Sequence, residues 1–246
     1  MRIKVINPNT TAGMTATIAE AARGVAAPGT EILAATSPTG PVSIEGHYDE
    51  AVAVIGLLEE VRKGEDEGVD GHVVACFGDP GLLACREVAR GPVVGIAEAA
   101  MHCAALVSVG FSIVTTLGRT VAIAERLVLA YGFERHCRSI RASDLAVLDL
   151  EDPASDARRV ILDECRKAVE QDGAGAILLG CAGMADLARD LGAELGVPVI
   201  DGVAAAVKLV EALVGQGLAT SKRGPFAFPL AKPYTGALRH MAPRAR

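Results

Sequence analysis

The sequence predicts an α/β protein made of two similar halves, and three observations carry that expectation. Short β-branched runs alternate with longer Ala- and Leu-rich stretches at helical spacing, the pattern of parallel strands covered by helices on both faces. Segments of the first half return in order in the second at nearly one offset. Pro198 of GVPVIDGVAAA lies 106 residues after Pro92 of GPVVGIAEAA, and VINPNTTAGMTATIAEA matches FSIVTTLGRTVAIAERL with Asn7 opposite Thr115. Half of the 246 residues are apolar, ample for one large core or two smaller ones.

In chain order, IKVIN (3–7), TEILAAT (30–36), GHVVACF (71–77) and GPVVGI (91–96) read as strands, with helical spacing at 11–24, 47–64 and 80–89. The second half offers SIVTTL (112–117), AILLGC (176–181) and VPVID (197–201) as strands, and 119–131, 155–171, 184–195 and 203–215 as helices. Recurrence of this kind marks a duplicated unit. The expected architecture is two pseudo-symmetric Rossmann-like (flavodoxin-like) domains with parallel sheets and a functional cleft between them. The chain after about residue 205 is expected to cross back over the first sheet. That gives a discontinuous first domain, 1–97 plus 206–246, and a second domain at 98–205.

The duplication singles out two thiols among six. VVACFGDPGLL ends a strand with Cys76, and AILLGCAGMADL does the same 105 residues later with Cys181. Ligands of open parallel sheets bind at the carboxyl ends of strands, so equivalent thiols on facing halves would share one cleft. Each is followed by small residues before an expected helix, Gly78-Asp79-Pro80-Gly81 and Ala182-Gly183. Free amides there would lower a thiol's pKa. Cys85, Cys103 and Cys165 fall in helical patterns and Cys137 in a connection; these four read as structural.

Several chemistries are disfavoured. A net charge of −6 without a basic cluster argues against nucleic acid as a partner. The absence of a long apolar run argues against a membrane, and the N-terminal MRIKVINPNTT lacks a signal-peptide core, so a soluble cytoplasmic protein is expected. No CxxC or Cys/His cluster stands at zinc spacing, NPNTTAG lacks the P-loop lysine, and no GxGxxG follows a strand, so neither metal nor nucleotide cofactor is expected. A Cys–His hydrolase would need one of the histidines at 47, 72, 102, 136 or 240; His72 stands four residues before Cys76 on the same strand and His136 beside Cys137 in a connection, and sequence alone places neither as a base. Two acid/base groups without a cofactor suit proton removal from one face of a carbon and delivery to the other.

The motifs INPNTT (6–11), GPVSIEGHYDE (40–50), ACFGDPGL (75–82), GIAEAAMH (95–102), FSIVTTLGRT (111–120), LGCAGMA (179–185) and PVIDGVAAAVK (198–208) resemble the Asp/Glu racemase superfamily, and within it the hydantoin and allantoin racemases. The resemblance runs nearly end to end. It implies cofactor-independent racemisation at C5 of a hydantoin ring, with Cys76 and Cys181 as the acid/base pair and a cyclic ureide, first of all allantoin, as substrate. It also implies a homo-oligomer, and substrate contacts at Ser43, Ile44, Phe77, Gly78, Asp79, Leu117, Gly118, Ala182 and Gly183, with Asn7 nearby. An amino-acid racemase, a maleate-type isomerase or a decarboxylase would use the same scaffold. An amino acid would need a carboxylate clamp, for which Arg119 is the candidate. A non-catalytic small-molecule binding module is the alternative from another class.

Overall fold

A computed structural model describes residues 1–151 and 155–243. The first sheet is built from β1 (Arg2–Asn7), β2 (Glu31–Thr36), β3 (Gly71–Val74) and β4 (Val93–Gly95), with α1 (Ala12–Val25), α2 (His47–Glu67) and α3 (Leu82–Val88) between them. After α4 (Ile96–Val107), the second sheet follows: β5 (Phe111–Thr115), α5 (Val121–Ala130), β6 (Cys137–Ala142), α6 (Ala157–Glu170), β7 (Ala176–Leu179), α7 (Ala188–Leu195) and β8 (Val199–Ile200). The strand orders are β2-β1-β3-β4 and β6-β5-β7-β8, with every pairing parallel. Adding four to each strand number maps one sheet onto the other. The α/β expectation holds, and the duplication read from sequence is visible in the topology.

Strand alternation decides where the core lies. Ile3, Val5 and Val73 point into one large apolar cluster, which also takes Ile113, Ala176 and Leu178 from the second sheet. Their neighbours Ile6 and Val74 turn to the opposite face, under Leu57 and Val61 of α2. Ile177 and Leu179 do the same under Ile161 and Leu162 of α6. Side chains two apart share a face, so the inner strands of both sheets bury apolar residues on both faces. The common cluster joins the two sheets through α1, α4 and α8.

The last helix, α8 (Gly202–Gly215), starts on Asp201, whose carboxylate accepts from the N–H groups of Val203 (2.8 Å) and Ala204 (3.0 Å). This N-cap satisfies two of the four amides a helix start leaves open. Val203, Ala206, Val207 and Val210 are buried, and the helix packs on β3, β4, α1 and α4. The chain thus returns to the first sheet, and its tail then lies along α2 and α3. There the Lys222 ammonium donates to the carbonyls of Arg86 (2.6 Å) and Glu87 (3.2 Å).

Three local features differ from expectation. The connection assigned to Cys137 is a strand: β6 (CRSIRA) is an edge strand none of whose residues is fully buried, so it lacks the apolar run that marks the others. The helix expected from 119 is preceded by a 3₁₀ turn at Gly118–Thr120, and that expected from 184 by a 3₁₀ turn at Ala182–Leu187. α4 forms a twelve-residue helix where only Cys103 had been placed in helical spacing.

Candidate functional site

β3 and β7 occupy equivalent positions beside the first strand of each sheet. Beyond their carboxyl ends the chain turns into one cavity, with about 570 Å³ of free space open to solvent on one side, whose walls include both Cys76 and Cys181. The first sheet contributes Asn9 and Met14 after β1, Ile44 and Glu50 from the β2–α2 region, and Ala75, Phe77 and Gly78 around Cys76. The second adds Thr115 at the end of β5 and Thr116 and Thr120 after it, Ile123 and Ala124 of α5, Val147, and Gly180 and Ala182 around Cys181. A larger apolar groove, about 1160 Å³, runs beneath the C-terminal tail and is lined by no thiol.

Both thiols are partly exposed to the cavity and unpaired. Burial pushes the Cys76 thiol well above the ordinary thiol range. The Gly78 N–H hydrogen-bonds it and pulls the other way, while Cys181, Asp79 and Glu50 add to the rise. Burial pushes Cys181 up to about 11, opposed by the Gly183 N–H and assisted by Glu45. Each sulfur therefore meets the backbone N–H two residues downstream, and the two halves repeat the device. From the sequence, helix starts are expected to lower these pKa values. The amides are in place, but α3 has only seven residues and α7 begins at Ala188, so no long helix aims its dipole at either sulfur. Burial wins.

The sequence-derived contacts separate into two groups. Ile44, Phe77, Gly78 and Ala182 line the cavity beside the cysteines. Asn7, Ser43, Asp79, Leu117, Gly118 and Gly183 are not among the lining residues, and for most of them the reason is visible. The Asn7 amide donates to Asn9 Oδ1 (2.8 Å), the Thr11 carbonyl (3.2 Å) and Thr15 Oγ1 (3.0 Å); it holds the turn that presents Asn9 instead. The Gly118 N–H is taken by Asp144 Oδ1 (3.0 Å). Gly183 spends its amide on Cys181.

Asp79 is 6% exposed and sits at φ 45°, a left-handed conformation that Asp and Asn adopt more readily than most side chains. Its carboxylate accepts from the N–H groups of Ala97 (3.1 Å) and Glu98 (2.9 Å) and from the Tyr131 hydroxyl (2.8 Å). Its own N–H reaches back to the Cys76 carbonyl (2.9 Å). Asp79 thus ties the Cys76 turn to the start of α4 and the end of α5. Burial pushes its carboxyl up to about 7 against those donors.

Sequence reasoning missed Glu50, although it lies inside GPVSIEGHYDE. It is in the first turn of α2, where a carboxylate is favoured by the helix dipole, and is 7% exposed. Arg126 of α5 pairs with it across the two halves (Nη2 to Oε1 2.9 Å, to Oε2 3.3 Å). It is the only charged residue lining the cavity among the described residues. Arg119, the candidate carboxylate clamp, is not in the wall; its guanidinium lies against Gly46, where a Cβ would come within 2.9 Å of Nη2. No histidine lines the cavity either. His72 is fully buried, and burial, aided by Lys4, pushes it down to about 4. Among the described residues no cluster of three His, Cys, Asp or Glu is placed to hold a metal, and no helix is long and apolar enough to cross a membrane.

The family described as Asp/Glu/Hydantoin racemase matches residues 3–210. A hydantoin racemase of Rhizobium meliloti is 53% identical over 236 residues, covering 96% of this chain and 98% of that one. The solved allantoin racemase from Klebsiella pneumoniae superposes with a TM-score of 0.97 at 59% identity, over 99% of this chain and 100% of that one. A second allantoin racemase structure, from Pseudomonas fluorescens, gives 0.92 at 42% identity over 96% and 100%.

Proposed function

The chain belongs to the Asp/Glu/hydantoin racemase family and is an isomerase, and from that premise we propose that it interconverts the enantiomers of 5-substituted hydantoins, allantoin first, by two-thiol proton transfer at C5. The observation that carries the mechanism is the cavity wall: two cysteines from equivalent strand ends, and no Lys or Arg among the described residues that line it. An amino-acid carboxylate would have to be held here by neutral donors alone in a wall that also carries Glu50, whereas a hydantoin ring is neutral.

C5 of such a ring lies between a carbonyl and a nitrogen, so its proton leaves to give an enolate. One sulfur, as thiolate, takes that proton while the other, as thiol, delivers its own to the opposite face. After one turnover the two sulfurs have exchanged roles. The Gly78 and Gly183 amides stabilise whichever sulfur carries the charge, since hydrogen bonds to an ionised acceptor are the stronger ones. No metal, pyridoxal phosphate or nucleotide takes part. In this reading residues 1–97 with 206–246 form one domain and 98–205 the other, each supplying one thiol. The protein works in the cytoplasm as a homo-oligomer, in the breakdown of purine-derived allantoin.

The test uses exhaustively dialysed enzyme and follows loss of optical rotation of each enantiomer of a hydantoin that racemises slowly on its own. Cys76→Ser and Cys181→Ser should each abolish racemisation, a serine hydroxyl being far too weak an acid to supply a resting base. Each variant should still exchange the C5 proton with D₂O, with retention and for one enantiomer only, and the two should choose opposite enantiomers. Near wild-type racemisation by either variant defeats the mechanism.

A further inference from the structure

Glu50 has no part in the proton transfer, yet its carboxylate reaches the cavity from the first turn of α2. Gly78 makes room for it: a Cβ there would lie 2.5 Å from Glu50 Oε1. Arg126 contacts both oxygens and His47 Nδ1 lies 3.3 Å from Oε2. A carboxylate offers about four acceptor positions, so capacity remains on the cavity side. The other polar side chains in the wall, Asn9, Thr115, Thr116 and Thr120, are neutral.

We infer that Glu50 is the specificity-determining residue of this cavity: it accepts a ring N–H of the cyclic ureide and repels hydantoins whose 5-substituent is anionic. The inference rests on the racemase reading and deepens it. Every hydantoin carries N–H donors, and a charged acceptor binds them more strongly than a neutral one. A second carboxylate brought into so small a space would face Glu50 in a partly enclosed cavity, where like charges are costlier than in bulk water. Allantoin's ureido substituent is neutral and escapes that cost. Arg126, half-exposed on α5, offsets part of the charge and so sets how strongly anions are refused.

The experiment compares kcat/KM for two nearly isosteric substrates, hydantoins bearing 2-carbamoylethyl and 2-carboxyethyl groups at C5, in wild type, Glu50→Gln and Arg126→Gln. Wild type should prefer the amide by ~10²-fold, and Glu50→Gln should cut that preference by about tenfold or more, chiefly through KM of the acid. Arg126→Gln, at a half-exposed position, should raise the preference several-fold and decides the matter if Glu50→Gln does not fold. A purely structural Glu50 would lower both substrates alike and leave the ratio unchanged. An unchanged ratio in both variants, or a wild-type preference for the acid, overturns the assignment while leaving the racemase reading intact. Allantoin serves as the control: if wild type turns over allantoin but neither probe, this inference fails alone, and if it turns over none of the three, the racemase reading fails and this inference falls with it.

Discussion

Asp79 offers the sharpest test of how the Cys76 turn is held, because its charge can be removed with little change in shape. In the folded protein its carboxyl is pushed up to about 7 by burial, whereas in the unfolded chain it titrates near the ordinary value of about 4. The folded form therefore keeps a proton that the unfolded form releases. The stabilisation from that proton is complete below about pH 4 and is lost as pH rises through about 7. Three units correspond to about 4 kcal/mol at 1.36 kcal/mol per unit. Asp79→Asn mimics the protonated acid and tolerates the positive φ. The unfolding free energy of wild type minus that of Asp79→Asn should fall by about 4 kcal/mol between about pH 4 and about pH 8, in urea titrations where other groups cancel. A flat difference would show that Asp79 does not titrate in this range. A difference that instead rises with pH below about pH 4 and is flat above it would show that the donors from Ala97, Glu98 and Tyr131 outweigh burial and hold the carboxylate ionised.

Two further outcomes follow from the cavity. Gly78→Ala should displace the Glu50 carboxylate, a flexible group, so the thermal midpoint should move little while kcat/KM drops about tenfold or more through misplacement in the site; unchanged kinetics would show that the Gly78–Glu50 contact is unimportant. Because both thiols are raised, kcat/KM should climb about tenfold per pH unit from neutrality towards pH 10; a plateau at pH 7 would mean that a sulfur is already ionised at rest.

What could be read from the sequence was whatever the duplication repeats. Cys76 and Cys181 stood out because the same strand-then-small-residue sentence occurs twice, and the paired strand orders repeat it in space. β6 escaped because an edge strand with Arg138 and Arg141 need not be apolar: Arg141 binds the Asp172 carboxylate (2.6 and 2.9 Å) rather than a core. Glu50 escaped for a different reason. A carboxylate two residues after a tyrosine in a helix start is indistinguishable in sequence from a solvated one; only Arg126, 76 residues away, and the bare Cα of Gly78 place it in the wall. Asn7 and Asp79 sat in the right motifs but act one layer behind the cavity, since motifs do not say which way an amide or carboxylate points.

The two halves are alike but not equal, and in the proposed mechanism that inequality has a definite limit. Cys76 is raised further than Cys181 on balance, burial being the first cause in both, and Cys76 also feels the nearby carboxylates of Asp79 and Glu50. Cys181 is then the easier sulfur to ionise, so the enantiomer presenting its C5 proton to Cys181 meets the more populated base. Enantiomers in water have equal free energies, however, and the overall equilibrium constant is one. The ratio of kcat/KM in the two directions must therefore also be one, whatever the acidities of the sulfurs. The asymmetry is confined to how each direction divides between kcat and KM. It becomes visible in rate only when one sulfur is removed: Cys76→Ser keeps the more acidic thiol and Cys181→Ser the less acidic one. The solvent-exchange rates of the two single variants thus measure a difference that the intact pair is thermodynamically obliged to hide.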